Sequence, residues 1–128
     1  TFLDEKTHAR QMSPLTLAFL GDAVYELLIR TKVINHGSMQ VNKMHKKSAS
    51  LVKAETQANI IKAIQDDLTE EELAVFRRGR NAQVHSIPSH ASRAQYSTAT
   101  ALEALFGWLY LGGQRQRASD LFDVMMEE

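Results

Sequence analysis

The chain has no cysteine among its 128 residues. That excludes disulfide cross-links and metal sites built on thiolates, and it fits a reducing cytoplasm. Net charge is also missing, because 15 lysines and arginines balance 15 acids. Such a balance argues against a protein that coats nucleic acid through bulk charge. No stretch alternates apolar and polar residues for long, no hairpin turn pair occurs, and no internal repeat is visible, so sheets and solenoids are not expected. The opening residues Thr1-Phe2-Leu3-Asp4-Glu5-Lys6 are too polar for a secretory signal. The most apolar run, Leu15 to Ile29, contains Asp22 and Glu26. It is too short and too charged to span a bilayer, so a membrane partner is not expected.

What is present is helical. Ser13-Pro14 reads as an N-cap followed by proline at the first helical position, opening a helix that runs to about Val33. Asn35-His36-Gly37-Ser38 breaks it. A second amphipathic pattern covers Val41 to Asp67, with lysines largely off its apolar face. Thr69 and Glu72 have capping-box spacing ahead of a short helix that ends with Arg77, Arg78 and a capping Gly79. Arg80 to Gln95 has few apolar residues and predicts a loop. Its His85 and His90 have no third ligand at a useful spacing for zinc. Ser97 is expected to open another apolar helix that Gly112-Gly113 closes, and a last amphipathic helix follows from Gln114. The fold class is all-α: one domain over residues 1–128, with five to seven packed helices.

Charge is segregated although it sums to zero. Between Glu26 and Glu55 there is no acid, but Arg30, Lys32, Lys43, Lys46, Lys47 and Lys53 fall there. Between Glu72 and Glu103 there is again none, while Arg77, Arg78, Arg80 and Arg93 occur. A nearly neutral molecule thereby acquires a basic face. Two apolar helices each carry an acid in that setting, Asp22 on the first and Glu103 on the one before Gly112. Burying a carboxylate without a partner is costly, so each needs an arginine or a cation. Gly21, next to Asp22, is a poor helix former and suits a place where something approaches the backbone closely. Converging carboxylates are the ligand type preferred by Mg²⁺, and a metal beside a basic surface suits phosphodiester hydrolysis.

Leu20-Gly21-Asp22-Ala23-Val24, together with Leu102-Glu103-Ala104-Leu105-Phe106-Gly107, resembles the two metal-binding motifs of the ribonuclease III catalytic-domain family. Arg77-Arg78-Gly79-Arg80-Asn81-Ala82 and Tyr96-Ser97-Thr98-Ala99 resemble the short bacterial branch called Mini-ribonuclease III, which lacks a double-stranded-RNA-binding domain. The likeness spans about Pro14 to Gly113. It implies the compact multi-helix endonuclease fold and a cytoplasmic, homodimeric, Mg²⁺-dependent endoribonuclease. Such an enzyme cleaves double-stranded RNA and matures the 5′ and 3′ ends of precursor 23S ribosomal RNA. Asp22 and Glu103 carry over as catalytic metal ligands, and Lys46, Lys47, Arg77, Arg78, Arg80 and Asn81 are the candidate RNA contacts. The larger family has two further acids where this chain has Ala18 and Thr100. Their absence keeps open a non-catalytic all-α RNA-binding or scaffold domain on the same fold. Glu26 reads first as a structural residue, paired with an arginine.

Overall fold

The computed structural model describes residues 12–35, 43, 46, 64–82 and 92–126. Among these, four α-helices have described bounds, and there is a single 3-10 turn and no strand. They are α1 (Pro14–Asn35), the turn at Gln65–Asp67, α2 (Glu70–Arg80), α3 (Arg93–Leu111) and α4 (Arg115–Met126). The expected helix over Val41 to Asp67 lies mostly outside the described residues, as do the N-terminal arm, His85, His90 and Lys47. Lys43 and Lys46 are helical, and the pattern ends at Asp67 in 3-10 geometry.

The helix ends follow from side chains near them in the chain. Ser13 Oγ accepts from the Thr16 N–H at 3.2 Å ahead of Pro14. At α2, Thr69 Oγ1 accepts from the Glu72 N–H and Glu72 Oε1 accepts from the Thr69 N–H, so the expected capping box is formed. At the end of α3 the Gln114 N–H donates to the Leu109 carbonyl and the Gly113 N–H to that of Tyr110. Gly113 has φ +74°, and this is the Schellman pattern that a glycine pair permits.

Two boundaries differ from the sequence reading. Helix α3 begins at Arg93 rather than Ser97, because Ser92 and Gln95 form a second capping box with bonds of 3.1 Å. Gly79 does not cap α2: the helix continues to Arg80 and Gly79 is buried inside it. A Cβ there would lie 2.8 Å from Ala101 Cα. Gly79 is therefore present for close packing, and no left-handed turn is needed at that position.

Helix α3 is the centre of the core. Ala99 to Leu109 is buried apart from Glu103, the pattern of a helix covered on all sides. Helix α1 packs against it through Leu17, Tyr25, Ile29 and Val33, α2 through Val75 and Phe76, and α4 through Leu121, Phe122 and Met125. The Arg117 guanidinium ties α4 to α2. It donates to both Glu72 carboxylate oxygens at 2.8 and 2.9 Å and to the Asp67 carbonyl at 2.7 Å. Glu72 is 2 % exposed, and the bond from Arg117 holds its carboxyl below the usual range. No described helix is long and apolar enough to cross a membrane.

Candidate active site

The site is built where α1 crosses α3 with almost no separation between backbones. A Cβ on Gly21 would lie 1.5 Å from the Glu103 carbonyl oxygen, and one on Gly107 would lie 2.1 Å from that of Leu17. Each glycine therefore receives the backbone of the other helix. Leu17 faces Gly107 while Gly21 faces Glu103, so the two helices run antiparallel. Asp22 and Glu103 follow directly from this crossing, because each is at, or next to, a residue in backbone contact.

The two carboxyl groups come together. Glu103 is half-buried and its carboxyl is hydrogen-bonded to Asp22, which is solvent-exposed. Burial first, then the bond to Asp22 and its negative charge, push the Glu103 carboxyl up to about 9. A carboxyl that is buried beside a second carboxylate ionises less readily than a free one. A pair of carboxylates brought together offers the all-oxygen donor set that hard cations prefer.

The positions where the larger family has further acids are buried and small. Ala18 is 7 % and Thr100 6 % exposed, and the Thr100 hydroxyl is spent on the Tyr96 carbonyl at 2.9 Å. Glu26 pairs with Arg30 at 2.6 Å on the exposed side of α1. Among the described residues, no group of three or more His, Asp or Glu side chains converges as a metal cluster. The site is a pair of carboxylates open on one side to solvent.

The basic candidates divide. Arg77, Arg80 and Asn81 are exposed at the end of α2, which Gly79 docks beside Ala101 and Ala104 of α3, the helix that carries Glu103. Arg78 is also exposed but donates to the Met12 carbonyl at 3.2 Å, so it braces the approach to α1. Lys46 is helical and exposed, while Lys47 lies outside the described residues. Reading the sequence missed Tyr25, whose buried hydroxyl has no hydrogen-bond partner. It also missed Gly107 as the counterpart of Gly21. A glycine in the middle of an apolar helix was the available signal for the second; nothing local marks the first.

The model of the Ribonuclease III domain matches residues 15–114. The chain belongs to the ribonuclease III domain family. Within that family it is 44 % identical over 113 residues to the Mini-ribonuclease 3 of Symbiobacterium thermophilum, covering 88 % of this chain and 87 % of the relative. It is 42 % identical to that of a Thermoanaerobacter species, covering 99 % and 89 %. The crystal structure of protein FN1578 from Fusobacterium nucleatum superposes with a TM-score of 0.83 at 33 % identity, covering 92 % of this chain and 94 % of that one. The all-helical fold is therefore the ribonuclease III fold, and the chain is an endoribonuclease of that type.

Proposed function

We propose that this ribonuclease III domain hydrolyses double-stranded RNA with Asp22 and Glu103 as the ligands of a Mg²⁺ ion, and that its substrate is precursor 23S ribosomal RNA. The observation that carries the reading is the convergence of these two acids at the α1–α3 crossing, where burial and the neighbouring Asp22 carboxylate push the Glu103 carboxyl up to about 9. Asp22 and Glu103 would hold a divalent cation there, whose chemistry would be to activate water and offset charge on the scissile phosphate. The chain's own part is geometric. Backbone contact at Gly21 and Gly107 sets the separation of the two carboxylates, the apolar walls of α1 and α3 limit their motion, and the exposed side of Asp22 faces the incoming phosphodiester. With only these two protein ligands, the other positions of such an ion would be left to water and phosphate oxygens. The ribosomal part of the proposal rests on the resemblance to Mini-ribonuclease III, and a cysteine-free chain suits the cytoplasm where that RNA is made.

Arg77, Arg80 and Asn81 at the exposed end of α2, with Lys46 and Lys47, are proposed to bind the phosphate backbone. A-form RNA offers mainly phosphates and 2′-hydroxyls, so a basic surface poor in aromatics is suitable. We also propose a homodimer. Leu15, Phe19, Leu27 and Ile34 are 43, 85, 64 and 59 % exposed along α1, an apolar stripe that runs beside Asp22. A ring as exposed as that of Phe19 is unusual unless a second molecule covers it. Pairing two copies through this stripe brings two sites onto one duplex.

The test is to offer long double-stranded RNA, single-stranded RNA and double-stranded DNA of one sequence, each with Mg²⁺ or with EDTA. Cutting confined to duplex RNA with Mg²⁺ supports the reading. Equal cutting of DNA or of single strands overturns the substrate class, and cutting in EDTA overturns the metal.

A further inference from the structure

Tyr25 is completely buried, at 0 % exposed. Its hydroxyl is the only buried side-chain nitrogen or oxygen among the described residues that lacks a hydrogen-bond partner. Native cores rarely leave such a donor unpaired, because the desolvation cost is then uncompensated. A phenylalanine would fill the same space without that cost, so the hydroxyl calls for an explanation.

Its position supplies one. The ring is wedged against Phe106 at 5.6 Å between centroids and meets the edge of Phe122 at 5.8 Å. Phe106 lies one turn after Glu103 on α3. A helical side chain leans over the turn preceding it, which for Tyr25 is the turn of Gly21 and Asp22. Gly21 rests on the backbone of Glu103. Tyr25 is thereby fixed by aromatic neighbours on α3 and α4 with its side chain leaning towards the turn that carries Asp22. After burial, the charge of Glu103 is what raises the phenol above its ordinary range.

We infer that Tyr25 is a positioning residue for Glu103: its hydroxyl donates a hydrogen bond to the Glu103 carboxylate when that carboxylate turns from Asp22 towards a divalent cation. The inference rests on the reading of Asp22 and Glu103 as metal ligands. Glu103 has Asp22 as its partner, and the phenol has none. Drawing Glu103 into coordination frees a carboxylate oxygen that needs a donor, and Tyr25 is the buried donor in place. Carboxylates that bind metals are commonly held this way by a second residue, and loss of such a residue weakens metal binding roughly 10- to 100-fold.

The test is Tyr25→Phe, followed without RNA by the rise in Tm on titrating Mn²⁺ or Mg²⁺, and with RNA by kcat and KM. The metal-free variant should melt no lower than the parent. Its metal midpoint should move at least about ten-fold upward, and kcat at subsaturating Mg²⁺ should fall with KM for RNA unchanged. A core-packing role alone would shift Tm and leave the metal midpoint in place, and that result overturns the inference. If the parent itself shows no metal-dependent rise, the metal-ligand reading fails and takes this inference with it. Should the variant not fold, 3-fluorotyrosine placed at the chain's three tyrosines gives a second route. The Tyr25 fluorine resonance should move on adding Mg²⁺ to the parent and stay still in Glu103→Gln. A resonance indifferent to Mg²⁺ in a parent that binds it refutes the role.

Discussion

Replacing Gly21 with alanine adds a single methyl group at the tightest of the contacts made by the described glycines. That methyl would lie 1.5 Å from the Glu103 carbonyl oxygen, 2.5 Å from its carbon and 2.9 Å from the Gly107 nitrogen, where ordinary contact begins near 3.4 Å. All three atoms are backbone of a core helix, so no rotamer change relieves the clash. The helices must separate by roughly 2 Å, loosening the packing of Leu17, Tyr25, Leu105 and Phe106 between them. Alanine gains about 1 kcal/mol in helix propensity, but overpacking costs about 1–3 kcal/mol and occasionally more. A displacement of this size belongs at the upper end, so the net loss is expected to be about 2 kcal/mol. Urea unfolding should show it as a midpoint lowered by roughly 1 M, given slopes of about 1–3 kcal/mol per M. Activity should suffer more than stability. Asp22 and Glu103 move apart with their helices, and a shift near 1 Å at a reacting centre can cost about 100-fold in rate. Cleavage measured well below the midpoint, where the variant is folded, should therefore drop about that far. Contact distances also set a rank order of destabilisation, Gly21→Ala above Gly107→Ala above Gly79→Ala, following 1.5, 2.1 and 2.8 Å. A Gly21→Ala protein with parental midpoint and parental rate would refute the crossing as the organiser of the site.

In the metal-free protein, stability should depend on pH through Glu103. Its folded carboxyl titrates at about 9 against an ordinary 4.5, so this contribution is complete below about pH 4.5 and is lost as pH rises to about 9. Melting in EDTA should therefore show Tm falling across that window in the parent and a flatter profile in Glu103→Gln; equal profiles would contradict the burial and pairing described. Arg117→Ala strands the buried Glu72 carboxylate and should cost about 2–3 kcal/mol by chemical denaturation, with an unchanged midpoint counting against the α2–α4 tie. Removing Lys46, Arg77 or Arg80 should shallow the plot of log affinity against log salt by about 0.9 for each phosphate left unneutralised, and a residue whose removal leaves the parental slope does not bind phosphate.

Most of the architecture was readable because the signals were local. Ser13-Pro14, Thr69 with Glu72, and Gly112-Gly113 declare helix ends within a turn of themselves, and the helices end there. The Ser92 and Gln95 box is equally local, but the polar residues around it make it resemble a continuing loop. Gly79 misleads for a different reason: a cap and a close-packing glycine look alike until the partner helix is known, and here the partner is Ala101, far along the chain. The acids of the site were legible as charges in apolar helices next to a glycine, and the structure does bring Asp22 and Glu103 into contact. What the sequence could not display was long-range packing: Arg117 on Glu72, Arg78 on the Met12 carbonyl, and the Tyr25 ring against Phe106 and Phe122. Each depends on how helices cross, and no local pattern encodes that.

The most direct test of the account is the cleavage of long double-stranded RNA by the parent and by Asp22→Asn, compared in Mg²⁺ after both are shown to have the same helical content and Tm. The substitution is nearly isosteric and removes the charge proposed to hold the cation, an interaction worth several kcal/mol in the transition state, or at least about 1,000-fold in rate. The account predicts short duplex products from the parent and intact RNA from the variant over the same time. A folded Asp22→Asn protein that cuts at the parental rate would contradict it.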